Sequence, residues 1–184
     1  STPQNALTNF HYEILKEIKS DRLFYVHQIA SDRFYFGQDK NIFNWQIETE
    51  TKEIKGYKVQ KAITNFAGRD YVAWFTPDVP ISDGPYKFNG LPGLILEISD
   101  VENEWNFEFF GLKKLSPKQD FKLKFNQLIK TSPAELKATN LRYRKDPFTY
   151  VNNPNITISP EVHQKYIESF AEMLEKENNP IELE

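Results

Sequence analysis

Between residues 10 and 115, apolar and aromatic positions come in short runs separated by turn formers, roughly every 8 to 12 residues, the rhythm of an all-β meander. This predicts strands over residues 10–18, 23–30, 33–36, 43–48, 57–66, 71–76, 93–99 and 105–115. In the last run Trp105, Phe107 and Phe109 alternate with Asn106 and Glu108, and in the run before it Leu94, Leu96 and Ile98 alternate with Glu97 and Ser99. A period of two puts each set on one face of a half-buried sheet. Ala67-Gly68-Arg69, Lys55-Gly56 and Ser20-Asp21 punctuate the runs where hairpins need positive φ or a break.

The last third changes period. Ser132-Pro133-Ala134-Glu135 combines an N-cap Ser, Pro at the first helical position and Glu three residues after the cap, predicting a helix to about Tyr143. The cluster Arg142, Arg144 and Lys145 suits the negative end of its dipole. Ser159-Pro160-Glu161 repeats the signal and opens a second helix to about Glu177, with Val162, Tyr166, Phe170 and Met173 on a stripe expected to dock on the sheet. Residues 146–158, with two Pro and three Asn, read as a loop. The expected fold is α+β and mainly antiparallel: a curved meander sheet or half-barrel with the carboxyl-terminal helices on one face, in a single domain over residues 1–184, β-rich at 10–115 and helical at 132–177.

Composition narrows the function more than the fold. A chain of 184 residues buries roughly 70% of its unfolded surface, and with 15% aromatic residues much of that burial falls to flat rings that favour pleated surfaces. A formal charge of −3 offers no field to draw nucleic acid. Without cysteine there is no disulfide, thiolate metal site or Cys nucleophile. No apolar run reaches the roughly 20 residues of a membrane-spanning helix, so the chain reads as soluble, and its start at Ser1 leaves room for an export signal already removed.

Candidate chemistry is sparse. His11, His27 and His163 fit no metal-ligand spacing, the acids fit no calcium loop, and no nucleophile elbow, phosphate loop or dinucleotide fingerprint is present. The expectation is no catalytic residue, no cofactor and no metal. Asn155-Ile156-Thr157 matches a glycosylation acceptor but reads as an ordinary loop.

The most individual stretch is Gly84-Pro85-Tyr86-Lys87-Phe88-Asn89-Gly90-Leu91-Pro92-Gly93-Leu94-Ile95, whose two Pro and three Gly specify a rigid, sharply shaped loop. Its last six residues spell GLPGLI, and the chain resembles the GLPGLI family of secreted or envelope proteins from Bacteroidetes. Trp45, Ile54-Lys55-Gly56-Tyr57, Lys61-Ala62, Gly68-Arg69, Ala73-Trp74-Phe75-Thr76, Pro80-Ile81 and Gly84-Pro85 carry the resemblance over about residues 45–100, while Val59 stands where many members have Cys. The resemblance implies export to the periplasm or outside the cell and no known enzymatic activity. Its central pattern is also similar to the half-barrels of periplasmic lipoprotein carriers, an analogy of fold.

The candidate binding surface is Arg69, Trp74, Asp83, Pro85, Tyr86, Leu91 and Pro92. For each, a structural reading stands beside the functional one. The loop is either a connection shaped for a core strand or a recognition site. Arg69 either pairs with a carboxylate such as Asp83 or offers its planar fork to an anion. Trp74 and Trp105 either pack in the core or line an apolar cavity. The function expected is a non-enzymatic binding protein of the envelope or secreted space, holding an apolar small molecule or an envelope protein. The alternative is an accessory component of an outer-membrane system acting through a sheet edge or this loop, with a hydrolase third.

Overall fold

Two tight turns set the register of the larger sheet. Lys55 and Gly56 (φ 47° and 84°), and Ala67 and Gly68 (φ 47° and 78°), each put two successive residues in the left-handed region, the geometry of a two-residue hairpin whose twist matches its strands. The computed structural model describes residues 12–18, 20–117, 122–148, 158–175 and 181–182. Phe10, His11, the Asn155-Ile156-Thr157 triplet, most of the 146–158 loop and the expected last turn of the second helix lie outside the described residues.

The fold is α+β and mostly antiparallel, with nine strands in two sheets, neither closed into a barrel, and two carboxyl-terminal helices among the described residues. Contacts gather into two units. The first draws on residues 1–15, 22–38 and 122–177, the second on 16–21, 39–121 and 178–184.

The first unit's sheet has the order β1-β2-β3-β9, formed by β1 (Tyr12–Lys16), β2 (Arg22–Ile29), β3 (Asp32–Asp39) and β9 (Ile129–Lys130), with the end residues Lys16 and Asp39 belonging to the second unit. β9 was not expected, and it lies parallel to β3 with Phe34 opposite Ile129. Two residues are too few to show a period, so no pattern announces it. One face of the sheet buries Ile29, Phe34 and Phe36 against Leu136 of α1 (Pro133–Lys145). Phe125, in a 3-10 turn, meets Phe24 and Tyr35 at ring distances of 5.1 and 4.9 Å.

The α1 cap forms as its sequence specifies: Ser132 Oγ accepts from Glu135 N at 3.2 Å and Glu135 Oε2 accepts from Ser132 N at 3.0 Å. In α2 (Pro160–Glu175) Phe170 meets Tyr143 of α1 edge-on at 5.7 Å and Tyr166 meets Phe148 at 4.4 Å. The apolar stripe expected on the sheet thus stacks its rings on α1 and Phe148, while α1 is the helix that places a buried Leu against the strands.

The second unit is a five-stranded antiparallel meander: β4 (Gln46–Ile54), β5 (Tyr57–Phe66), β6 (Arg69–Thr76), β7 (Leu94–Asp100) and β8 (Asn106–Glu108), in chain order across the sheet. β4 extends well past the expected 43–48, through a polar stretch that fits an edge strand exposed almost throughout. β8 is three residues long, where a strand over 105–115 was expected.

Sequence periodicity failed most clearly in β7. Trp74 and Phe75 of β6 face Glu97 and Ile95, so Leu96 is an extra residue, a β-bulge. The bulge moves Ile98 off the face of Leu94 and Leu96, which pack with Trp74 and Val59, and onto the opposite face with Tyr71 and Phe75. Phe109, whose N–H donates to Leu96 O at 2.7 Å, packs with Leu96, while Trp105 and Phe107 pack beside Ile98. Neither set keeps to one face.

Candidate functional site

The second unit covers one face of its sheet with the loop between β6 and β7, residues 77–93. Gly93 makes its return possible: a Cβ there would lie 2.1 Å from Thr76 O, a distance only glycine avoids. Inside the loop, Gly93 N donates to Leu91 O (2.8 Å), Leu94 N to Val79 O (3.0 Å) and Ile95 N to Asp83 O (2.9 Å), so the backbone is tied without regular structure.

Side chains distant in sequence fasten it further. Lys16 Nζ donates to Asp83 Oδ1 (2.6 Å), Gly84 O (2.7 Å) and Phe88 O (2.8 Å), using all three of its donors. Burial pulls the Lys16 pKa below its ordinary value, against the opposing pull of Asp83. Trp45 Nε1 donates to Asn89 O at 2.8 Å. Glu182 accepts from Tyr86 OH and from Lys87 Nζ, both at 2.6 Å.

The apolar residues of the loop complete the core. Phe88 is fully buried, its ring 4.8 Å from that of Tyr71, 5.1 Å from Phe43 and 6.0 Å from Phe66. Leu91 is buried in the same cluster. The face of the sheet beneath this loop is therefore packed with the chain's own rings, the core alternative to an apolar cavity. What the loop presents outward is Pro77, Asp78, Pro80, Ile81, Ser82, Gly90 and Pro92.

Of the seven residues singled out by sequence, the structure brings Asp83, Pro85, Tyr86, Leu91 and Pro92 together in this loop, with Leu91 turned inward and Pro92 exposed. Arg69 does not meet Asp83. It is buried and pairs with Asp100 at 2.7 Å and Glu104 at 2.6 Å, closing the β7–β8 corner, where Asp100 Oδ1 also accepts from Trp105 N. Asp83 answers Lys16 instead. Trp74 sits on the other face of the sheet from Trp105, beneath Lys52 at 4.3 Å and Lys61 at 6.0 Å, a cation-covered ring rather than a cavity wall.

Lys16, Trp45 and Glu182 were missed as parts of the site. Trp45 alone carried a signal, as one of the residues of the family resemblance; the ion-pairing ends lie 67 residues before Asp83 and 96 after Tyr86. His27 stacks on Tyr25 at 6.2 Å, and His163 lies 3.1 Å from Asp146. Among the described residues no group of three His, Cys, Asp or Glu is placed to hold a metal, and no helix is long and apolar enough to cross a membrane.

Together the sheets and the fastened loop define an α+β protein whose most individual feature is a connection held rigid from outside itself. Residues 67–97, from the β5–β6 turn through that loop and into β7, match a family described as "Protein of unknown function (Porph_ging)". No curated protein matches the chain. Among solved structures, that of PNGF-II in space group P21 is similar at 18% identity with a TM-score of 0.51, over 72% of this chain and 25% of that one. Its C2 form gives 16% identity and a TM-score of 0.47, over 67% of this chain and 23% of that one. The chain thus spans about a quarter of PNGF-II, and at such identity the likeness concerns fold alone.

Proposed function

We propose that this chain is a non-enzymatic binding protein of the GLPGLI kind, exported to the periplasm or beyond, which engages a protein partner through the outer surface of the 77–93 loop. The observation that carries the reading is the fastening of that loop: Lys16, Trp45 and Glu182 hold it in one shape while Pro80, Ile81 and Pro92 stay exposed. A surface already ordered before binding loses little entropy when a partner docks.

The match over residues 67–97 supports the family reading, since it includes GLPGLI at 90–95. Two largely buried cations are absorbed by structural pairing, Lys16 with Asp83 and Arg69 with Asp100, which favours a binding role over a catalytic one. Filling of the inner face by Phe88 and Leu91 favours a protein partner over an apolar small molecule. The edge reading has less support, because β4 carries a register break and a row of exposed charges, devices that discourage strand addition.

The test is site-specific photo-cross-linking in native envelope extracts, with the probe at Ile81 and, as control, at exposed Lys137 of α1. A discrete adduct at Ile81 alone, lost in a Pro92→Ser background, is expected. Equal labelling at both positions, or saturable fatty-acid binding that quenches Trp45 fluorescence, would overturn the partner reading. Recovery of the native gene product in the cytosolic fraction would sink the export part.

A further inference from the structure

After the bond from Phe109 N to Leu96 O the chain leaves the sheet and continues as Phe110-Gly111-Leu112-Lys113-Lys114-Leu115. Phe110 is 95% exposed, Leu112 60% and Leu115 44%. Gly111 has nothing within 4 Å of the position its Cβ would take, so the segment stands clear of its surroundings there. Lys113 and Lys114 are exposed, Lys55 Nζ lies 5.4 Å over the Phe110 ring, and no acidic residue occurs between Glu108 and Asp120. On a chain of formal charge −3 this is a local island of positive charge around unburied apolar groups.

We propose that the 110–115 segment is a docking strip for an anionic lipid surface, a second site distinct from the 77–93 loop. Charge complementarity names the sign of the occupant, since Lys55, Lys113 and Lys114 call for a dense negative surface. The placing of the apolar residues names its kind. In an extended chain Phe110 and Leu112 fall on one side and Leu115 on the other, so a partner strand or protein face would bury only part of the set. A bilayer interface accepts apolar side chains from both sides of a shallowly inserted segment while lysines stay at the headgroups.

The full chain should co-sediment at low ionic strength with vesicles of equimolar phosphatidylglycerol and phosphatidylcholine, and not with phosphatidylcholine alone. Added salt should release it, as the screening length falls from about 10 Å at 0.1 M to about 3 Å at 1 M. Lys113→Gln with Lys114→Gln should weaken partitioning about thirtyfold. Phe110→Ser with Leu112→Ser should weaken it at every salt concentration, while Lys137→Gln should leave it unchanged. Absence of vesicle binding, equal binding to both compositions, or indifference to the two lysines would overturn the proposal. So would strip-dependent capture by poly-glutamate without vesicle binding, which assigns the strip to an acidic protein. Loss of the Ile81 adduct does not bear on the result, so the two sites fail separately.

Discussion

Two stretches of the second unit share Gly, Lys, Leu and Phe and meet opposite fates. Residues 84–93 and 109–115 flank β7 and β8. Phe88 in the first is fully buried; Phe110 in the second is 95% exposed. Apolarity does not explain the difference. In the first stretch the backbone carbonyls of Gly84, Phe88 and Asn89 are met by Lys16 and Trp45, so folding the loop over the sheet leaves these acceptors satisfied. Past Phe109, among the described residues, the second has a cation over one ring and stays largely exposed. Polar anchors remote in sequence decide which apolar loop becomes core.

The largest expected effect comes from emptying the anchored loop. Phe88→Ala removes a ring touching Tyr71, Phe43 and Phe66 from a fully buried site, and should cost about 3–5 kcal/mol in urea unfolding. A loss under about 1 kcal/mol would mean the loop is not core, and the comparison would collapse.

How much of this was legible depends on the range of each interaction. The turns at Lys55-Gly56 and Ala67-Gly68 and the Ser132–Glu135 capping box depend on residues within three positions, and the sequence names them directly. β4 was under-read because Gln46 to Ile54 is polar on both faces, as an edge strand permits. The bulge at Leu96 was not read: Ile95 breaks the alternation of Leu94, Leu96 and Ile98, but three apolar letters in a row do not say which residue is extra, and that is defined only relative to Trp74 and Phe75 across the ladder. The loop itself was legible as a rigid shape, from its Gly and Pro. Its fastening was not, and nor was the partner of Arg69, since a salt bridge across 31 or 67 residues leaves no spacing to read.

A smaller effect sharpens the comparison at the edge of the same core. Tyr71 OH donates to Ile181 O at 3.0 Å, and burial pushes its pKa from 10.0 up to about 12. Tyr71→Phe keeps the ring and loses the bond, at a cost of about 1–2 kcal/mol near neutral pH. An unfolded tyrosine ionises near 10 while the folded one resists, so its contribution is complete below pH 10 and is lost as pH rises through about 12. Stability curves of the two proteins should therefore converge over that interval. A constant gap across it would place the hydroxyl in water.

The smallest effect is expected where the comparison predicts indifference. Phe110→Ser together with Leu112→Ser removes two large apolar side chains, yet both are already largely in water in the folded state and in the unfolded one. Among the described residues, the folded-state contact at stake is the exposed approach of Lys55 to the Phe110 ring, worth about 0.5 kcal/mol. Thermal and urea unfolding of the double variant should thus stay within about 0.5 kcal/mol of the parent. A loss of several kcal/mol would show that 110–115 folds back onto the protein in solution; the strip would then be core like the 77–93 loop, and its availability to a lipid surface would go with it.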